Sequence, residues 1–216
     1  MALFAVIGLG SFGGTIALEL TKLNHDVIGI DTIKKNVENI ADQISHAVIA
    51  DATDEHVLNE LNVKNCDAVV VAIGEDIEAS ILCVLHLKNL GVERILVKAK
   101  SKAHHMILSH LGITKIIHPE EDMGIRIAQS LSFPMVRRYM NLNNDRYIVK
   151  AEIGANLQGV EYQTLMDEAY DLKTLLLQRG SHVLYEVAPG TILQEKDILI
   201  VEGPVEMLKK MSARFA

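Results

Sequence analysis

Three glycines in the run Gly8-Leu9-Gly10-Ser11-Phe12-Gly13 follow the apolar stretch Phe4-Ala-Val-Ile7 and precede a segment of helical periodicity. A strand, a glycine-rich turn and a helix start, in that order, make a cradle for phosphate. The first glycine suits the tight turn, the second lets backbone approach a pyrophosphate, and the third allows helix and sheet to pack closely. The helix N-terminus beyond adds unpaired N–H groups and the positive end of the helix dipole. The spacing by itself is common, and its place between strand and helix gives it weight. Gly8, Gly10, Ser11, Phe12 and Gly13 are thus the candidate phosphate residues.

Asp31 closes the second apolar run, 18 residues after Gly13, where a carboxylate can accept from both ribose hydroxyls. The alternative for Asp31 is a capping role before the next helix. An acid there repels a 2′-phosphate, so NAD(H) or an unmodified adenosine is favoured over NADP. Asp51, Ala52 and Thr53 end the third run beside the expected adenine pocket, although a plain turn before an N-cap at Asp54 has the same sequence. Gly14-Thr15 stands where a phosphate-hydrolysing P-loop carries Lys followed by Ser or Thr, which disfavours that class of enzyme.

A dehydrogenase needs a proton-transfer group beside the nicotinamide, and the chain offers few. It has no Tyr-x-x-x-Lys pair. His104 and His105 are adjacent on a helical stretch and point about 100° apart, which suits solvent exposure better than a shared metal. His25, His46, His56 and His86 show no ligand spacing. Glu120 and Glu121 follow Pro119 at the carboxyl end of the sixth strand. They could hold a divalent cation bridged to phosphate, or be solvated acids at a helix start.

The elements that must position these groups alternate. Strands are expected at 3–7, 26–30, 46–50, 68–73, 94–98 and 115–118, with helices at 12–23, 34–40, 54–61, 76–90 and 102–111. Nearly continuous apolar strands alternating with helices predict a doubly wound parallel α/β sheet of Rossmann type, covered on both faces. Gly91 and Gly112 stand where helices would end in the left-handed conformation. A helix over 122–131 then meets Pro134, and 136–146 reads as a connecting segment holding Arg137 and Arg138, a pair open to hinge, contact or solvated roles. From 147 to 216 the pattern is a small α+β module, with strands near 147–153, 174–179, 183–187 and 197–202, a helix near 163–168, and a closing helix from Pro204. The expected division is 1–135 and 147–216.

The chain has 216 residues, 49% hydrophobic and 23% charged, with a formal net charge of -7. Its length suits one full domain and a smaller one. Its mean hydropathy of +0.20 comes without the roughly 18–20 continuous apolar residues of a bilayer-spanning helix. No basic n-region precedes the first strand, so a cytoplasmic location is expected. The acidic balance argues against a nucleic-acid partner. Cys66 and Cys83 form no CxxC pair and read as reduced, buried residues.

These segments together resemble the cytosolic RCK subunits of KtrA and TrkA type. The resemblance rests on Ala5-Val-Ile-Gly-Leu-Gly-x-Phe-Gly-Gly14, the strand ending at Asp31, His46-Ala-Val-Ile-Ala-Asp-Ala-Thr53, Val71-Ala-Ile-Gly74, Val97-Lys-Ala99, Ile117-His-Pro-Glu-x-Asp-Met-Gly124 and Ile127-Ala-Gln-Ser-Leu131. It implies a non-enzymatic regulator in which ATP, ADP or NAD(H) binds the Rossmann cleft and reshapes an octameric ring. The ring would gate a membrane-embedded KtrB/TrkH-like potassium-translocating subunit at the inner face of the membrane. It also implies pairing through the helix near 122–131, and an RCK C-terminal domain from about Tyr147. Ala72, Ile73, Gly74 and Lys98 join the nucleotide site by the same likeness, and Glu120 becomes the candidate ligand for Mg or Ca. Ser11 departs from the family's common Arg and supplies a hydroxyl with no charge on the phosphate side. Two other functions fit parts of the pattern: a small NAD-dependent oxidoreductase, and a cyclic-dinucleotide sensor acting through residues 140–216.

Overall fold

A computed structural model describes residues 1–132, 136–142, 145–167 and 171–215, with backbone alone at 129, 130, 132, 136–139, 141 and 212–215. The chain divides into two compact units, Met1–Glu120 and Glu121–Ala216. No helix among the described residues is long and apolar enough to cross a membrane.

The first unit contains the strands β1 (Leu3–Ile7), β2 (Asp26–Asp31), β3 (His46–Ile49), β4 (Ala68–Val71), β5 (Ile95–Lys98) and β6 (Lys115–Ile117). Between them lie α1 (Ser11–Lys22), α2 (Lys34–Glu38), α3 (Glu55–Glu60), α4 (Ile77–Asn89) and α5 (Lys102–His110). The strands form one parallel sheet in the order β3-β2-β1-β4-β5-β6. Side chains alternate across a strand, and here both sets are apolar because both faces are covered. Ala5, Ile7, Ile28, Ile30, Val69 and Val71 pack with Leu58, Leu87 and Leu108, while Val6, Val27 and Val70 pack with Leu9, Ala17, Val37 and Ile44. Burying one such aliphatic side chain stabilises the fold by about 1.5–3 kcal/mol.

Helix ends follow local chemistry. Asp54, Asp76 and Ser101 cap α3, α4 and α5 by accepting from the backbone N–H of His56, Ala79 and His104. Gly91 and Gly112 follow α4 and α5 in the left-handed conformation, at φ +80° and +77°, as their positions in the sequence predict. α2 stops at Glu38, short of the expected Ile40, and a 3-10 turn over Ala41–Gln43 leads to β3.

α6 (Pro119–Ser132) begins three residues before the expected 122, because proline at the first helical position forfeits only an N–H that has no intrahelical partner. The second unit holds β7 (Val136–Asn141), β8 (Arg146–Glu152), α7 (Tyr162–Asp167), β9 (Lys173–Arg179), β10 (His182–Leu184), β11 (Ile198–Pro204) and α8 (Val205–Phe215). Its sheet is antiparallel, ordered β10-β9-β11-β8-β7. The segment 136–146, read as a connection, contains β7, which pairs with β8 from Val136↔Ala151 to Asn141↔Tyr147. Pro134 and Glu168 lie outside the described residues, as do the side chains of Arg137 and Arg138. The inner face, Val149, Ala151, Leu177, Leu199 and Val201, packs with Leu165, Leu193, Met207 and Leu208. Asp197 is buried beside this core, held by Arg179 through Nε–Oδ1 at 2.8 Å and Nη2–Oδ2 at 2.6 Å.

Candidate functional site

In the order β3-β2-β1-β4-β5-β6 the connections wind one way from β1 to β3 and the other way from β4 to β6, so the switch point lies between β1 and β4. A crevice opens at the carboxyl ends of such strands, and ligands bind there in open α/β sheets. Here it is a cleft of about 680 Å³, a size within the range of small-molecule sites. Gly8, Gly10, Asp31, Asp51, Ala52, Thr53, Ala72, Ile73 and Gly74 all line it.

The loop glycines divide their tasks. Gly8 has φ +88°, and a Cβ there would sit 2.9 Å from the backbone of Ala72, so loop and β4 approach too closely for a side chain. A Cβ on Gly13 would lie 1.8 Å from the Gly8 carbonyl oxygen, which is how α1 comes to start hard against the turn. Gly10 differs: a Cβ would meet no atom within 4 Å. It is the N-cap of α1, its side-chain position gives no cap, and no acid occupies the first turn. The helix's positive end therefore faces open space without an internal anion, as a phosphate site requires.

Asp31 is tied in on three sides. Its Oδ2 accepts from the Leu9 N–H at 2.6 Å and from Asn36 Nδ2 at 3.0 Å, and its Oδ1 accepts from the Ile33 N–H at 2.8 Å. A carboxylate offers about four acceptor positions, so one remains, on Oδ1. Asp31 thus combines the capping role with residual capacity for one hydroxyl, not two. Asp51 accepts from both the N–H and the hydroxyl of Thr53, at 2.9 and 2.7 Å, and these bonds hold its carboxyl below the usual range.

Ser11, Phe12, Gly13 and Lys98 do not line the cleft. Gly13 is buried behind the turn, and Ser11 is exposed at the start of α1. Lys98, at the end of β5, lies over Gly74, with Nζ 3.1 Å from where a Cβ would be, and 5.9 Å from the centre of the Phe12 ring. Its ammonium pairs with Glu120 Oε1 at 2.5 Å, and that hydrogen bond holds the Glu120 carboxyl below its ordinary value. Lys98 therefore lies against Gly74 at one side of the cleft.

Glu120, the carboxylate expected beside a phosphate-bound cation, pairs with Lys98, and no group of three or more His, Cys, Asp or Glu side chains converges around it among the described residues. His104 also departs from expectation: it is 1% exposed, not solvated. Burial, then the nearby His118, pull its imidazole below the ordinary value. His105 meets His118 through Nδ1 and Nε2 at 2.9 Å.

The cleft also includes residues that sequence reasoning missed: Thr32, Ile33 and Asn36 after β2, and the 75–79 turn opening α4, with Leu82 beyond it. The signal lay in the βα connections, since each strand's carboxyl end delivers the next few residues to the crevice. Glu75 there is paired with Lys100 at 2.9 Å, which lowers its carboxyl.

Comparison with known proteins shows likeness along the whole chain. The TrkA-N domain family matches residues 4–119. Ktr system potassium uptake protein C of Bacillus subtilis (strain 168) is 40% identical over 215 residues, covering 98% of this chain and 96% of its own. Ktr system potassium uptake protein A of the same organism is 39% identical over 208 residues, covering 96% and 94%. Among solved structures, the GsuK RCK domain superposes with a TM-score of 0.64 at 15% identity, covering 100% of this chain and 47% of the GsuK chain, a likeness of fold.

Proposed function

The chain belongs to the TrkA-N domain family and to the Ktr potassium uptake proteins, and from that premise we propose that it is their nucleotide-responsive regulatory subunit. The observation that carries this reading is the cleft at the β1/β4 switch point. The N-terminus of α1 at Gly10, which has no side-chain cap, and the open acceptor on Asp31 both lie along it, suited to phosphate and ribose. ATP, ADP and NAD(H) share the required adenosine and phosphates. Lys98 and Ser11 are the phosphate-side candidates, with Asp51, Ala52, Thr53, Ala72 and Ile73 around the base.

The subunit carries out no reaction; it converts nucleotide occupancy into shape. A nucleotide gates only to the extent that it binds two states of the assembly with different affinity. The Lys98–Glu120 pair offers such a contact, because phosphate competes with the carboxylate for the ammonium. Glu120 opens α6, so the competition reaches the helix that leaves the first unit. We keep 1–135 together functionally on this ground, with 147–216 as the RCK C-terminal domain. Met123, Ile125, Ile127 and Leu131 of α6 are each at least half exposed, in keeping with pairing through this helix. An octameric ring of such pairs would sit at the cytoplasmic face of the membrane on a KtrB/TrkH-like potassium-translocating partner. A divalent cation, Mg or Ca, bridged to the nucleotide's phosphates would take Glu120 as its ligand from this chain.

Light scattering on the size-separated chain, with ATP, ADP, NADH or no ligand, tests the reading. A large ring whose hydrodynamic size changes with nucleotide is expected. A monomer or plain dimer indifferent to all three overturns it.

A further inference from the structure

Asp31 has one acceptor position left, yet a ribose presents two hydroxyls. The second must find another acceptor or lose a hydrogen bond on entering the cleft, at a cost in affinity. Asn36 stands beside the carboxylate: it lines the cleft, is half-buried, and donates Nδ2–H to Asp31 Oδ2 at 3.0 Å. That bond settles which end of the amide is which, because only the nitrogen can donate to a carboxylate. The amide oxygen, bonded to the same carbon as Nδ2, is therefore held within a few ångströms of Asp31, and it has no partner among the described residues. The backbone fixes the residue further: Asn36 N–H donates to the Ile33 carbonyl at 3.0 Å, and Ile33 N–H donates to Asp31 Oδ1. Lys34 does not compete, since it pairs with Glu38 at 3.3 Å.

We infer that Asn36 is a second ribose-reading residue, its amide oxygen accepting from one hydroxyl while Asp31 Oδ1 accepts from the other. The inference rests on the cleft being an adenine-nucleotide site. It makes the pair selective for an intact ribose: a 2′-deoxy or 3′-deoxy sugar leaves one of the two acceptors unpaired, and a 2′-phosphate meets a carboxylate and a carbonyl oxygen with no cation between them.

Calorimetry on the full chain with ADP, 2′-deoxy-ADP and 3′-deoxy-ADP tests it. In the unsubstituted chain the analogue lacking the hydroxyl read by Asn36 binds roughly 3- to 10-fold more weakly than ADP, and the one lacking the hydroxyl read by the Asp31 carboxylate at least roughly 10-fold more weakly. In Asn36→Ala one of those two penalties falls to near unity and the other persists. Each penalty is a ratio within one protein, so a general loss of affinity cancels. If Asn36→Ala binds too weakly to measure, Asn36→Ser is read in the same way. Both penalties persisting unchanged in Asn36→Ala, whatever its absolute affinity, overturns the inference and reduces Asn36 to a clamp on Asp31. Failure of the site reading looks different: the unsubstituted chain does not bind ADP, or Asp31→Ala binds it as tightly.

Discussion

The Oδ2 of Asp31 accepts a hydrogen bond from the backbone N–H of Leu9 at 2.6 Å, joining the end of β2 to the middle of the glycine turn after β1. One carboxylate therefore shapes the glycine turn and, in the proposed site, would also receive the ribose. The two functions are separable in principle because they use different oxygens, Oδ2 for the loop and the free position on Oδ1 for the ligand.

Asp31→Ala removes both. Adenine-nucleotide binding is expected to weaken by about 1.5–3 kcal/mol for the lost charged hydrogen bond to ribose, at least roughly 10-fold in affinity. The melting temperature also falls, since the Leu9 and Ile33 N–H groups lose their acceptor. Calorimetry and a thermal melt on one preparation check this, and unchanged affinity would place the ribose elsewhere.

Gly13 and Gly10 predict opposite behaviours for one substitution. Gly13→Ala drives a methyl into the Gly8 carbonyl, a backbone atom that cannot swing aside, and is expected to cost about 3 kcal/mol or more. Gly10→Ala is accommodated at φ −61° and ψ −170° with open space around the new methyl, so a chain-entropy gain of about 0.4–1 kcal/mol roughly offsets the loss of a favoured N-cap residue and the free protein keeps about the same stability. That methyl stands where the backbone must approach phosphate, so nucleotide affinity falls. A Gly10→Ala chain that melts normally and still binds ADP would refute the placement of the phosphates.

Those contrasts show what was legible. The six strands of the first sheet are readable because burial on both faces leaves unbroken runs such as Ala68–Val71, and the glycine turn because its steric demands exclude other residues. β7 was not, since Val136-Arg-Arg-Tyr-Met-Asn141 lacks alternation and owes its strand state to pairing with β8. Asn36 was invisible for a different reason: its role depends on a short helix folding back onto Asp31, and its spacing from the acid has no motif. The Lys98–Glu120 pair joins two matched motifs, but only the fold brings the groups to 2.5 Å.

In the second unit, Asp197 is 1% exposed and receives both Arg179 and the Gln194 N–H, at 2.9 Å for the latter. Asp197→Ala strands the guanidinium and the amide together. The expected loss is about 3 kcal/mol, the lower end of the range for breaking a buried pair, because Arg179 is itself half-exposed. Urea unfolding of the full chain should show the transition of this unit moved to lower denaturant, while ADP binding to the first unit is retained. Coincident loss of both would mean that the pair supports more than its own module.

His104 supplies the pH prediction. Its folded value is depressed by burial, so as pH falls below about 6.5 the unfolded chain takes up this proton before the native one does. Stability contributed by the neutral, buried imidazole is complete above about 6.5 and is lost as pH falls from there through the folded value. His104→Leu keeps the apolar packing and has no proton to bind; the Lys100 N–H loses its acceptor in that variant, a penalty that does not vary with pH. Both proteins retain His105 and His118, so the difference between their unfolding free energies isolates position 104. Measured by urea at pH 7.5 and 5.5, the unsubstituted chain should lose more stability than the variant on acidification. Parallel losses would mean that His104 titrates alike in the two states.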